Sequence, residues 1–373
     1  MTLPFRSNRL SRRGARRTAL HMTAVLAVAT LGLAACGSDS DGSEGSSGGS
    51  SSAAAGGGDY GDVSVQLSWI KNSEFAGEFL ADSKGYYKDA GFSKVTLLPG
   101  PVAQEEIVAT GKAEFGLSNA VSTAAAVANS KFPLKIVGAT YQKNPFSILS
   151  LGDKGNIATP ADLCGKKIGV QDPNLSLFNA FLSANDIDPK CLTIVPNSFD
   201  VSPLEDKQID GLVAYLTNES LLVKGHGFDT VDLPFADNGL PFVAETVITT
   251  DDMIKNNPDE VKAFLKAEIQ GWTDACDGDA GYKAGAELAV NTYGKEIDPP
   301  LELEKEVEQA KQQCELLVKS DETETNGLFT MSPEMIDANI TSIKAAGIDI
   351  SADDLFDTSL IDAVYEEDPS LKG

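Results

Sequence analysis

A two-lobed α/β fold with mainly parallel sheets is the architecture this chain predicts. Three observations carry it. Strand-like and helix-like patterns alternate from about residue 60 onward, the alternation falls into two similar units, and about 310 residues follow that point, which is long for one hydrophobic core. Residues 63–69 read Val-Ser-Val-Gln-Leu-Ser-Trp, an alternation of period two that predicts a strand. Residues 74–90 follow as a helix, with Phe75, Phe79, Leu80 and Tyr87 on one apolar side and Gly91 as its stop. A strand over 95–98 is broken by Pro99-Gly100-Pro101, and a short helix over 103–110 has Glu105 and Glu106 at its N-terminal end, where they suit the helix dipole. A brief strand over 115–117 leads through Ser118, Asn119 and Ser122, all capping residues, into an Ala-rich helix reaching Asn129. A strand over 134–139 closes the first unit.

The second unit repeats the scheme. Strands are expected over 146–151, 167–170, 192–195, 211–215 and 230–233, with a capped turn at 159–162 and a helix over 176–185. Residues 243–249 form a strand placed to return to the first unit. Helices are expected over 258–275, 280–291, 301–319 and 331–346, the last with Ser332 as cap and Pro333 at its first position. Crossings near residues 148 and 246 then define lobe 1 as 60–147 plus 247–373 and lobe 2 as 148–246. Ligands of such sheets bind in a crevice outside the strand C-termini.

Ahead of the folded body lies an export leader. Six Arg between residues 6 and 17 precede an apolar run over 19–35, which is short for a membrane span and ends in small residues. Leu33-Ala34-Ala35-Cys36 resembles the bacterial lipobox. That resemblance implies a signal peptide over 1–35, cleavage before Cys36 and a diacylglyceryl group on its sulfur, hence a protein anchored by lipid to the extracytoplasmic face of the cell membrane. The pairs Arg12-Arg13 and Arg16-Arg17 suit a twin-arginine signal as well as a generic basic region. Residues 36–59 are almost all Gly, Ser, Ala and Asp, a tether with an r.m.s. span of roughly 25 Å.

Without the leader, 24 basic residues face 55 acidic ones, a net charge near −31. Such a field argues against nucleic acid and anionic lipid surfaces as partners, so the membrane enters only through the anchor. Four cysteines remain besides Cys36, and an even number in an oxidising compartment favours two disulfides. Of the three pairings, Cys164–Cys191 and Cys276–Cys314 are favoured because each closes a short loop within one unit, worth about 3–4 kcal/mol apiece in the loop-entropy model. His226, in a Gly-rich turn, is the sole histidine beyond the leader. This scarcity argues against His-based acid–base chemistry, a Ser-His-Asp triad and a His metal site.

Several segments together resemble a known family: Leu67-Ser68-Trp69, Phe75-Ala76-Gly77, residues 84–92 (Lys-Gly-Tyr-Tyr-Lys-Asp-Ala-Gly-Phe), 98–101 (Leu-Pro-Gly-Pro), 115–117 (Phe-Gly-Leu) and 163–170 (Leu-Cys-Gly-Lys-Lys-Ile-Gly-Val). Over residues 62–275 the chain resembles bacterial solute-binding proteins of ABC importers, in the branch that takes thiamine pyrimidine precursors, riboflavin, nitrate or alkylsulfonates. The resemblance implies a type II periplasmic-binding-protein (venus-flytrap) fold, a monomeric receptor that hands a small molecule to an ABC permease, and no catalysis, cofactor or metal. One departure bears on the ligand. The thiamine-pyrimidine branch has Asn-x-x-His-x-Gly where this chain keeps Asn72 and Gly77 but has Phe75 at the His position, which offers a stacking surface instead; a related synthase branch consumes its own active-site His and carries a Cys cluster, and the lack of both here argues against that activity. A second departure is Asn238, which stands where an aromatic residue is common.

Candidate ligand-binding residues stand at strand ends and helix starts. In the first lobe these are Trp69, for stacking on a flat ring, Asn72, Glu74, Phe75, Ser118, Asn119, Tyr141, Gln142 and Asn144. In the second they are Asp172, Asn174, Tyr215, Asn218 and Glu219. Glu245 joins them as a carboxylate inside an otherwise apolar strand, where desolvation demands a partner: a cationic or amine-bearing ligand, or a structural Lys or Arg.

Overall fold

The computed structural model describes residues 58–372. The leader, Cys36 and all but the end of the tether lie outside the described residues. The chain first lays down β1 (Gly61–Gln66), β2 (Phe92–Leu98), β3 (Phe115–Asn119) and β4 (Leu134–Tyr141), then β5 (Phe146–Leu151), β6 (Lys167–Val170), β7 (Thr193–Pro196), β8 (Gly211–Tyr215) and β9 (Thr230–Pro234), and finally β10 (Ala244–Thr250). They form two five-stranded sheets, ordered β2-β1-β3-β10-β4 and β7-β6-β8-β5-β9. The chain passes to the second sheet through residues 142–145 and comes back through 235–243.

Both sheets are mixed, where the strand–helix alternation had suggested mainly parallel ones. The βα units behave as expected, since β1 pairs in parallel with β2 and β3, and β6 with β7 and β8. Every antiparallel pairing involves β5 or β10. These are the first strands after each passage. Each enters its new sheet directly, without the crossover helix that would reverse the chain and make the pairing parallel.

Local chemistry explains where other elements end. The helix expected over 74–90 is two helices, Ala76–Ser83 and Tyr86–Asp89, because Gly85 at φ 82° turns the chain between them. The helices expected over 280–291 and 301–319 run as Gly278–Leu288 and Leu303–Gln313, each ending in a π-helical turn (Ala289–Tyr293 and Cys314–Val318). Ser332 caps the Pro333–Ala345 helix by accepting the Met335 N–H at 3.3 Å, and Pro333 opens it. Between β8 and β9 the chain adds the helix Glu219–Gly225, too short for its apolar spacing to stand out in the sequence.

The Pro258–Ala275 helix is the keystone of the first core. Its Phe264 stacks on Phe115 with ring centres 4.0 Å apart, and Trp272 is fully buried. Trp272 lies so close to the Ala76–Ser83 helix that a Cβ on Gly77 would meet the indole at 2.3 Å. Gly77 therefore serves helix packing, whatever else the sequence motif around it does. Under the second sheet Phe181 stacks on Phe235 at 4.2 Å. Disulfides join Cys164 to Cys191 and Cys276 to Cys314. The first ties the entries of β6 and β7, which pair from Lys167 and Thr193. The second ties the end of the Pro258–Ala275 helix to the end of the Leu303–Gln313 helix.

Candidate functional site

A cleft of about 860 Å³, measured out to its open mouth, lies between the two sheets. Its walls come from the ends of parallel strands and the turns after them: Ser68 and Trp69 past β1, Ser118 and Asn119 on β3, Gln171 and Asn174 past β6, Phe199 past β7 and Tyr215 on β8. The starts of the antiparallel strands add Phe146 and Glu245. This is the crevice that open α/β sheets offer at their strand C-termini.

Of the residues expected to bind a ligand, Trp69, Glu74, Ser118, Asn119, Asn174, Tyr215, Asn218, Glu219 and Glu245 line the cleft. Asn72, Phe75, Tyr141, Gln142, Asn144 and Asp172 do not. Asn72 is buried and caps its own turn, its Oδ1 accepting the Glu74 N–H at 3.1 Å. Phe75 points into the core beside Phe79, with ring centres 6.4 Å apart, and offers a ligand no stacking face. Tyr141 is fully buried and donates to Gln313 Oε1 at 2.8 Å. Gln142 donates its side-chain amide to the carbonyls of Ala139 and Thr330. Asn144 donates to the Leu240 carbonyl at 2.7 Å and so pins one inter-sheet passage to the other. Asp172 is exposed outside the cleft. Asp172 thus faces solvent, Phe75, Gln142 and Asn144 serve the core and the passages, and Asn72 and Tyr141 are supports.

What they support is Glu74. The turn that carries it is held by the Leu303–Gln313 helix: Glu306 Oε2 accepts the Ser73 N–H at 2.7 Å, and Gln313 Nε2 donates to the Ser73 carbonyl at 2.7 Å. Tyr141 in turn orients Gln313. Glu74 and Glu245 are both 2 % exposed. Ser68 Oγ donates to Glu245 Oε2 at 2.8 Å and lies 3.5 Å from Glu74 Oε1, so one hydroxyl stands between two carboxyls. Glu245 adopts φ 44° at an irregularity in the β10–β3 pairing, a left-handed conformation that a non-glycine residue holds only when its surroundings enforce it.

Burial raises the Glu245 carboxyl to about 7, against the pull of its hydrogen bonds from Glu74 and Ser68. Burial, reinforced by the charge of Glu245, raises Glu74 well above the carboxylate range. Burial also raises Glu219, opposed by the Tyr215 N–H that its Oε2 accepts at 2.8 Å. Lys305 is the ammonium beside this group. Its Nζ donates to Asn218 Oδ1 (2.6 Å) and Gln309 Oε1 (2.5 Å) and pairs with Glu306 at 3.1 Å.

Aromatic rings line the cleft as well. Trp69 meets Phe199 edge-on with centres 4.5 Å apart, and Phe146 meets Tyr215 edge-on at 4.7 Å. The Trp69 indole N–H is buried without an acceptor among the described residues. Ser68, Gln171, Phe146 and Phe199 escaped the sequence reading. The first three belong to strands or strand ends, where the polar and aromatic positions next to chosen ones were equally placed. Phe199 gave one signal, a lone aromatic in a polar loop, and it is 40 % exposed at the cleft mouth. Asn119 and Asn174 line the cleft but also serve local structure, Asn119 by accepting the Ser122 N–H at 2.9 Å and Asn174 by donating to Gln171 at 2.9 Å.

A model of the family described as NMT1/THI5 like matches residues 72–278. The chain belongs to this family. Among curated relatives, the riboflavin-binding protein RibY of Chloroflexus aurantiacus is 26% identical over 222 residues, covering 57% of this chain and 62% of that protein. The 4-amino-5-hydroxymethyl-2-methylpyrimidine phosphate synthase THI5 of Saccharomyces cerevisiae is 26% identical over 219 residues, 55% of this chain and 64% of that one. The chain thus spans a little over three-fifths of these relatives' lengths. Among solved structures, the sulfonate-binding protein SsuA of Methylobacillus flagellatus superposes with a TM-score of 0.60 at 17% identity, over 85% of this chain and 97% of that one. The nitrate-binding protein NrtA of Synechocystis gives 0.61 at 12%, over 84% and 91%. At such identities the likeness is one of fold, and it makes this NMT1/THI5-like chain a periplasmic-binding-protein fold. No described helix is long and apolar enough to cross a membrane.

Within this family member, Trp69 is the residue whose loss should weaken ligand capture most simply. Trp69→Ala removes the ring that meets Phe199 and an unpaired N–H donor. The expected result is at least a tenfold loss of affinity, about 1.4 kcal/mol, in calorimetric titration with whichever compound binds the wild type. Unchanged affinity removes Trp69 from the site.

Proposed function

We propose that this protein is the extracytoplasmic receptor of an ABC importer, closing on a small aromatic nitrogen heterocycle such as a thiamine pyrimidine precursor or a flavin. The observation that carries the reading is the cleft itself. Aromatic rings wall it, three buried glutamates enter it, and no Lys, Arg or His is among its lining residues. A nitrate or sulfonate entering such a site would meet carboxyls with no cation to hold it. The lobes follow the two sheets, residues 60–141 with 244–372 and residues 146–234, so the boundaries expected at 148 and 246 shift out of β5 and β10 to the passages. Closure is a hinge motion about the two passages, biased by the ligand's preference for the closed form. Cys36 carries the lipid, the tether lets the body reach its permease, and the receptor acts as a monomer.

The relatives described as synthases favour a second reading, a pyrimidine-forming enzyme. A synthase of that kind consumes a His of its own active site, and no His is among the residues that line this cleft, which speaks against it.

A thermal-shift screen of the purified full-length protein tests the proposal. Riboflavin, thiamine, 4-amino-5-hydroxymethyl-2-methylpyrimidine, nitrate, taurine and an aliphatic sulfonate make up the panel. A saturable rise in Tm with a heterocycle and none with the anions is expected, since a ligand of the native state stabilises it by mass action. A rise with the anions alone overturns the ligand class, and conversion of any compound, followed by mass spectrometry, revives the enzyme.

A further inference from the structure

The receptor reading leaves open which edge of the ligand the carboxyls meet. Glu74 and Glu245 come from distant parts of the chain, one from the turn after β1 and one from the irregular start of β10, and converge on the hydroxyl of Ser68. Both line the cleft and both are almost wholly buried. Glu74 has little else to hold it, since its only side-chain partner besides Glu245 is Ser68 at the outer limit of a hydrogen bond. No Lys, Arg or His lines the cleft around the pair, and Lys305, whose charge opposes the rise of Glu74 and Glu219, lies outside the lining. Glu219, Tyr215 and Ser118 line the cleft, Tyr141 and Glu78 lie behind it, and Lys305 is turned to Asn218, Glu306 and Gln309. Two buried carboxyls side by side are costly unless something supplies hydrogen-bond donors to them.

Glu245 holds its place at φ 44°, a strained conformation that aims a carboxyl into the cleft. The rings of Trp69, Phe199 and Tyr215 line the same cleft and suit a flat, electron-poor group. A flat group that presents two nitrogens on one carbon matches both features together: its plane meets the rings, and its donors meet the two carboxyls in paired, charge-assisted bonds.

We propose that Glu74 and Glu245 form a clamp for an amidine-type edge, the N–C–N unit of a 4-aminopyrimidine, an amidine or a guanidine. This assignment rests on the receptor reading and narrows it. It favours a basic aminopyrimidine, whose N–C–N edge can engage both carboxyls, over an isoalloxazine, whose ring edge sets one N–H between two carbonyl oxygens and so offers the pair a single donor.

The test is isothermal titration of the full-length protein with two matched pairs of probes: 4-amino-5-hydroxymethyl-2-methylpyrimidine against its 4-hydroxy counterpart, and benzamidine against benzamide. The amino and amidine members are expected to bind at least tenfold more tightly than their oxygen partners, and Glu74→Gln and Glu245→Gln are each expected to lose at least tenfold for them. Equal binding within both pairs overturns the clamp on the wild-type protein alone, so the result does not depend on the variants folding. Retained affinity in both folded variants overturns it too. Binding of riboflavin, nitrate or a sulfonate with none of the amino or amidine probes also sinks the clamp while sparing the receptor. Binding of no compound at all sinks both.

Discussion

Trp272→Ala is expected to lower the stability of the folded body by about 3–5 kcal/mol, the range for emptying a buried aromatic site. The indole is fully buried where the Pro258–Ala275 helix crosses Gly77, and its edge meets Tyr141 with ring centres 6.4 Å apart. Its N–H also reaches Glu78 Oε1 at 3.4 Å, so the truncation strips a donor from a buried carboxyl as well as opening a cavity. The surrounding helices are braced by Cys276–Cys314 and collapse little into the space. Urea denaturation of the variant at neutral pH measures the change. A loss under 1 kcal/mol would mean that the Ala76–Ser83 helix settles onto its neighbour without the indole.

The second large effect is on pH dependence. Glu78 and Glu268 are fully buried between the same two helices. Tyr87 donates to Glu268 Oε1 and Trp272 to Glu78 Oε1, while the Oε2 atoms of both find no other donor. One proton held between the two carboxyls satisfies that arrangement. Burial raises Glu268 to about 8, despite its hydrogen bonds from Tyr87 and Glu78. Burial, with the charge of Glu268 behind it, raises Glu78 well above its ordinary value.

The folded state therefore binds protons more tightly than the unfolded chain, whose Glu titrates near 4.3. The stabilisation is complete below that value and drains away as the pH climbs towards about 8. At about 1.4 kcal/mol per unit, the rise from about 4.3 to about 8 makes the loss on the order of 5 kcal/mol. Glu245, raised to about 7, pushes in the same direction. Urea unfolding at pH 5, 7 and 9 is expected to show declining stability in the wild type. Glu268→Gln, whose amide replaces the shared proton, should flatten the decline. Parallel slopes in the two proteins would sink the shared-proton account.

Much of this architecture was legible because its signals are local. Period-two alternation located β1, breaks at Pro99 and Gly100 ended β2, and Ser118 and Asn119 announced a helix start that does border the cleft. The short-loop argument paired Cys164 with Cys191, and they meet at the neighbouring entries of β6 and β7. The errors come from contacts made far along the chain. Tyr141 and Gln142 look like ligand residues until Gln313 and the Thr330 carbonyl are in view, and those partners lie 172 and 188 positions away. No pattern in a short window distinguishes a polar side chain waiting for a ligand from one waiting for a distant helix. Phe75 shows the converse: its apolar character was noted, but which way a single helical turn faces was decided by the Phe79 and Trp272 side of the core. The mixed strand directions were hidden for the same reason, since β5 and β10 read as ordinary strands and differ only in how the chain arrives.

Two contacts span the cleft with protein atoms alone: the edge of Trp69 against Phe199, and Lys305 Nζ against Asn218 Oδ1. Their consequence is kinetic. On the receptor reading, the two would differ in kind: the rings also face the ligand, whereas Lys305 lies outside the lining and its bond to Asn218 joins two distant parts of the chain irrespective of what lies between. Loosening that bond would then change entry and exit in one direction and leave the preference among ligands to the carboxyls and rings inside. Residence time would thereby be adjustable at a side chain that never touches the ligand.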